Sequence, residues 1–144
     1  MLRAQPLLWE LRSKFITKLR KIQHYLGQQV FTSVIHPAVL FKALASADAV
    51  IGNLRYINGS ERFMISEELV KTMKPGAVII DLSVDQGGCF ETSHPTTHSD
   101  PVYVVDGIVH YAVANIPGAV PNTSTYALTN ATLKYALALA DKGW

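Results

Sequence analysis

The sequence contains one cysteine, Cys89, so no disulfide can form within the chain and the framework of a small secreted scaffold is excluded. A reducing, cytoplasmic compartment is the matching expectation. No apolar run approaches the roughly 20 residues that a membrane-spanning helix needs, and charges recur from Glu10 onward, which also breaks the pattern of a secretory leader. Charged residues make up only 17% of the chain against 49% apolar, which excludes a self-repelling disordered polymer. What is abundant is core material: 144 residues suit one domain, and the apolar fraction leaves some to spare for an interface.

Charge is informative only by segment. Residues 1–26 hold six basic side chains (Arg3, Arg12, Lys14, Lys18, Arg20, Lys21) against Glu10, giving +5, and the remainder holds seven against ten, giving −3. A solvated cationic helix face accounts for this best. A mitochondrial presequence is the second reading, and a nucleic-acid arm ranks below it because aromatic interleaving and a binding module are both missing. No nucleic acid and no membrane are expected as partners.

Leu7, Leu8, Leu11, Phe15, Leu19, Ile22 and Leu26 recur at spacings of three and four, which predicts an amphipathic helix between Pro6 and Gly27. A short strand follows at Val30–Ser33, then a helix over 37–47 with Val39, Leu40, Ala43 and Leu44 on one face, and a strand at 49–52. Residues 53–63 read as loop. Ser66, followed by Glu67 and Glu68, caps a short helix that Lys74-Pro75-Gly76 ends. The nearly continuous apolar run 77–84 is expected to be a strand covered on both faces. A long polar loop leads to Pro101, the Asp106-Gly107 pair predicts a hairpin between 102–105 and 108–111, and a last helix is expected over 124–142. The alternation predicts an α/β fold with an open, mostly parallel sheet and flanking helices.

In such sheets ligands bind beyond the carboxyl ends of the strands. Asp85-Gln86-Gly87-Gly88 occupies that position after the most apolar strand, and suits either an acid that orients a cofactor or handles a proton, or an ordinary polar turn. Asn115-Ile116-Pro117-Gly118 offers an amide to a cofactor's carboxamide or ribose, or simply closes a strand. Cys89, His94, His98 and His110 invite a metal site or a nucleophilic cysteine with a histidine base. Pro95 between two of the histidines and the lack of a second cysteine weaken both, and no metal is expected.

Two long stretches carry a family resemblance. Met73-Lys74-Pro75-Gly76-Ala77-Val78-Ile79-Ile80-Asp81 running into Asp85-Gln86-Gly87-Gly88-Cys89-Phe90-Glu91, and Val113-Ala114-Asn115-Ile116-Pro117-Gly118 running into Ser124-Thr125-Tyr126-Ala127-Leu128-Thr129-Asn130, resemble the NAD-binding domain of bacterial alanine dehydrogenase. The resemblance extends over residues 14–144 and leaves residues 1–13 atypical. The related proton-translocating transhydrogenase is the runner-up, and with it the alternative of a nucleotide-binding or assembly module or a non-catalytic remnant. The resemblance implies a partial Rossmann-like sheet and NAD-dependent oxidative deamination of L-alanine to pyruvate and ammonium in a homo-oligomer. It assigns Asp85 as the catalytic aspartate beside the nicotinamide ribose. Leu82, Ser83 and Val84 match the strand end lining the cofactor, Leu54 and Arg55 the turn after the preceding strand, Val113, Ala114, Asn115 and Ile116 the nicotinamide loop, and Lys18 a basic residue near the adenosine end.

The departures are specific. No GxGxxG occurs, the first βαβ unit and the Arg, Lys and His that hold pyruvate have no counterpart, and Ser13 stands where the family has an acid on the adenosine ribose. These departures lead to the expectation of a single truncated NAD-binding domain, inactive alone, with a frameshift or displaced start as its origin.

Overall fold

Short β-branched and aliphatic runs, separated by Gly, Pro and polar turns, produce strands of only four residues throughout. The computed structural model describes residues 7–10, 24–25, 31–34, 36–53 and 65–143, which fall into two compact units, Met1–Ala45 and Ser46–Trp144.

In the first unit, β1 (Leu7–Glu10) pairs in parallel with β2 (Phe31–Val34) in the register Leu7 to Phe31. The helix expected from Pro6 to Gly27 is therefore corrected at its start. Leu7-Leu8-Trp9 is a continuous apolar run, and periodicity alone does not separate such a run from a strand when a parallel partner is at hand. His24 and Tyr25, near the other end of the expected helix, are helical. Helix α1 (Pro37–Ser46) buries Leu40 and Leu44, one turn apart, and leaves Val39 exposed.

The second unit holds a four-stranded sheet in the order β3-β4-β6-β5, formed by β3 (Ala49–Gly52), β4 (Val78–Asp81), β5 (Val102–Val105) and β6 (Ile108–Tyr111). β3, β4 and β6 run parallel, and β5 closes the edge antiparallel to β6. The hairpin forms as expected because Asp106 and Gly107 both take positive φ, 52° and 77°, the conformation a two-residue turn of matching twist requires. Between β3 and β4, Ser66 caps the one-turn helix α2 (Glu67–Val70) by accepting from the Leu69 amide at 3.4 Å, and the Glu91 carboxylate accepts from the Glu67 amide at 2.8 Å. A side chain from beyond β4 thus takes part in starting the helix before it.

β4 is shorter than the expected run to Val84 and is covered less evenly. Ile79 and Asp81 are fully buried, whereas Val78 and Ile80 are only half-buried. The core of this unit gathers Ile65, Val70, Met73, Ile79, Phe90, Ile108 and Val113. The last helix, α3 (Pro121–Lys142), begins three residues before the expected Ser124, because proline fits the first helical turn and Ser124 N–H already reaches the Val120 carbonyl at 3.0 Å. No residue of α3 is buried.

Candidate functional site

The registers Gly52 to Asp81 and Ile80 to Tyr111 bring the carboxyl ends of β3, β4 and β6 to one edge of the sheet. The segments that leave this edge are the ones singled out from sequence: residues 82–85 follow β4 and 113–116 follow β6, on neighbouring strands. Leu54 and Arg55, which follow β3, and Lys18 lie outside the described residues.

The exit from β4 is built around Asp81, whose side chain is fully buried. One carboxylate oxygen accepts from the Ser83 amide at 3.0 Å and the other from the Cys89 amide at 2.8 Å, so a single side chain pins both ends of the turn that carries Asp85. The Ser83 carbonyl then accepts from Gln86 and Gly88, both at 2.9 Å, within a short 3-10 turn over Val84–Gln86. Gly88 has φ 79°, and a Cβ there would stand 3.1 Å from the Asp81 carboxylate, so the turn needs glycine for both space and conformation. The outcome is a buried Ser83 and Val84, an exposed Asp85, and a Leu82 side chain 42% exposed beside it. Of the four, Leu82 and Asp85 have side chains free to meet a ligand.

At the exit from β6, Ala112 and Val113 are buried while Ala114 and Asn115 are exposed. Thr96 runs beside them as a parallel bridge to Val113, its amide donating to the Ala112 carbonyl at 2.9 Å and its carbonyl accepting from Ala114 at 3.4 Å. The long polar segment before Pro101 is therefore a strap that extends the sheet past its carboxyl edge. Its base is held by an aromatic stack: Tyr103 lies between His94, at 3.7 Å between ring centres, and His110, at 5.0 Å. The Tyr103 hydroxyl donates to the Thr92 carbonyl at 3.0 Å and accepts from the His94 amide at 2.9 Å.

His110 is fully buried, and its hydrogen bonds define its tautomer. A carbonyl can only accept, so Nδ1 carries the hydrogen toward Ile108 at 3.0 Å, and in the neutral ring Nε2 accepts from the Thr92 hydroxyl at 2.8 Å. Burial pushes its pKa below the ordinary histidine value, favouring that neutral form. Burial also raises the Tyr103 phenol, which keeps its proton for Thr92. The histidines raised as metal candidates thus have separate roles: His110 and His94 support the strap, and His98 contacts the Asn115 carbonyl at 2.6 Å. Among the described residues no group of three or more His, Cys, Asp or Glu is arranged to hold a metal ion. Cys89 is buried beneath the β4 exit.

Sequence reasoning missed Asp81 and the strap. An acid ending an apolar strand and followed by two glycines is a detectable signal for the first, because a buried carboxylate must find donors and the glycines mark where the backbone closes on it.

The carboxyl strand edge presents an exposed carboxylate in Asp85, an exposed amide in Asn115 and an exposed apolar side chain in Leu82, groups of the kind that hold a polar cofactor at such an edge.

Comparison with known proteins is consistent with this geometry. Residues 10–144 match the family described as alanine dehydrogenase/PNT, C-terminal domain. An alanine dehydrogenase of Halomonas elongata is 55% identical over 105 residues, covering 73% of this chain and 28% of that protein. One of Bacillus subtilis is 48% identical over 127 residues, covering 88% and 34%. The chain thus spans about a third of the length of the curated relatives it matches. A solved L-alanine dehydrogenase superposes with a TM-score of 0.80 at 40% identity over 97% of this chain and 38% of that one. A transhydrogenase from Sinorhizobium meliloti shares the fold, with a TM-score of 0.65 at 22% identity over 83% and 32%. The sheet is accordingly Rossmann-like, and the chain belongs to the alanine dehydrogenase/PNT C-terminal domain family.

Proposed function

We propose that this chain provides the nicotinamide-side portion of an NAD-dependent alanine dehydrogenase, in which L-alanine and water are converted to pyruvate and ammonium. NAD, when bound, supplies the hydride acceptor. Asp85 would hold the ribose by accepting from its hydroxyls and would organise the polar groups around the reacting carbon. Leu82 would pack against the ring, the buried Ser83 and Val84 fix the backbone that carries Leu82 and Asp85, and the Val113–Ile116 loop would offer the Asn115 amide to the carboxamide. Hydride transfer requires donor and acceptor carbons held at near-contact distance, which rigid loops at the ends of adjacent strands are suited to enforce.

The observation that carries this reading is the emergence of the exposed Asp85 and Asn115 from neighbouring parallel strands at one sheet edge. By the family resemblance alone, Lys18 corresponds to a basic residue near the adenosine end, and Leu54 and Arg55 to the turn that follows the strand before β4. The whole reaction belongs to a homo-oligomeric enzyme in the cytoplasm. The 144-residue polypeptide by itself is expected to turn over no alanine at typical enzyme rates of roughly 1 to 1000 per second. Among the described residues no helix is long and apolar enough to cross a membrane.

Calorimetric titration of the purified chain with NADH tests the cofactor assignment. Saturable binding that weakens about tenfold in Asp85→Asn supports it, since loss of a bond to a charged acceptor costs about 1.5 to 3 kcal/mol and 1.4 kcal/mol is tenfold. Equal binding by both proteins rejects the role of Asp85.

A further inference from the structure

The strap and the loop after β6 meet at one point that the cofactor reading leaves unassigned. The Asn115 carbonyl accepts from two donors, the Gly118 amide at 3.0 Å and His98 Nε2 at 2.6 Å. Since a carbonyl cannot donate, Nε2 of His98 must carry a hydrogen. One residue earlier, Ala114 donates to the Thr96 carbonyl at 3.4 Å, so adjacent residues of the loop are tied to residues 96 and 98 of the same strap. Gly118 closes the arrangement from the other side: a Cβ there would stand 3.0 Å from the Asn115 side-chain nitrogen and 3.3 Å from His98 Nε2. The Asn115 carbonyl is therefore held by two donors and its side-chain amide lies against Gly118, although the residue is exposed.

We propose that His98 is a positioning residue for the nicotinamide loop, acting by hydrogen-bond donation to the Asn115 main chain so that the Asn115 amide is presented in a fixed direction. The role rests on the reading that Val113–Ile116 meets the nicotinamide half of the cofactor. It is carried by the donor, not by the ring's bulk. A glutamine, whose amide nitrogen donates, substitutes for it, whereas a phenylalanine, which retains the ring, does not.

The test compares the wild-type chain with His98→Phe and His98→Gln, each checked for folding by circular dichroism, which an exposed site is expected to tolerate. Two readouts are taken: NADH affinity by fluorescence titration, and hydrogen exchange of the Gly118 amide, which shares the Asn115 carbonyl with His98. A single hydrogen bond of ordinary net strength corresponds to about fivefold in affinity. His98→Phe is expected to bind NADH about fivefold more weakly and to exchange faster at Gly118, with His98→Gln recovering both. Wild-type binding that is unchanged in His98→Phe overturns the positioning role and leaves the cofactor site standing. Rescue by Phe but not by Gln overturns it in favour of space filling. Absence of NADH binding by the wild-type chain overturns the cofactor reading and the proposal with it, and the exchange data then tell separately whether the His98 contact forms.

Discussion

Replacing Asp81 with asparagine tests the physical logic of the site most sharply, because it changes one atom of a fully buried side chain. In the native turn the two carboxylate oxygens accept from Ser83 and Cys89 amides at 3.0 and 2.8 Å. Asparagine retains one acceptor and turns an amide nitrogen toward the other N–H, so one buried donor loses its partner and faces a second donor. Leaving such a group unsatisfied costs about 1 to 3 kcal/mol, and bonds to a charged acceptor contribute about 1.5 to 3 kcal/mol. Against this, the amide no longer has to be stripped of hydration as a buried charge, which offsets part of the loss. A net destabilisation of about 2 kcal/mol is expected. With a urea dependence of about 1 to 3 kcal/mol per molar, the unfolding midpoint should fall by about 1 M. Hydrogen exchange gives the local signature: the Cys89 or Ser83 amide should lose protection first, since either can be the one abandoned. An unchanged midpoint together with unchanged protection at both amides would refute the claim that this carboxylate organises the turn.

Three further outcomes follow from packing and charge. Gly52→Ala would put a Cβ 2.5 Å from a Phe90 ring carbon and 2.9 Å from Cys89 Cβ, so overpacking should cost about 1 to 3 kcal/mol in thermal or urea unfolding. Tyr103→Phe removes the donor to Thr92 and the acceptor for the His94 amide, and should raise exchange at His94 while leaving the sheet amides protected. His110 has a lowered pKa in the fold because it is buried, so the unfolded chain takes up a proton that the folded chain refuses. Stability should therefore fall as pH drops below about 6.5, and His110→Gln should show a shallower fall below that pH in urea midpoints.

How far the sequence reveals the site depends on whether the governing interaction is local. Strands β3 to β6, the capping by Ser66 and the Asp106-Gly107 turn were legible because each rests on the residues that form it. The rule that ligands lie beyond carboxyl strand ends points to Asp85-Gln86-Gly87-Gly88, and the polar turn after the hairpin to Asn115-Ile116-Pro117-Gly118, whereas Leu82, Ser83, Val84, Val113 and Ala114 come only from the family resemblance; all of them follow β4 or β6. Leu7–Glu10 was misread because its structure is set by pairing with Phe31–Val34, which no local periodicity encodes. The end of β4 was placed too late for a similar reason, as it is determined by Asp81 reaching Cys89 eight residues on. The strap looks like a loop with metal-like histidines in the sequence because its order comes from stacking and from single bonds between residues 11 to 18 apart, such as Tyr103 to Thr92 and His110 to Thr92.

The proposal that the loops after β4 and β6 together hold the nicotinamide half of NAD is tested most directly by amide chemical shifts of the labelled chain during titration with NADH. Saturable shifts are expected at Leu82–Asp85 and Val113–Ile116, with Val102–Val105 and α3 unmoved. Shifts centred on β5 or α3, or none at millimolar NADH, would contradict it.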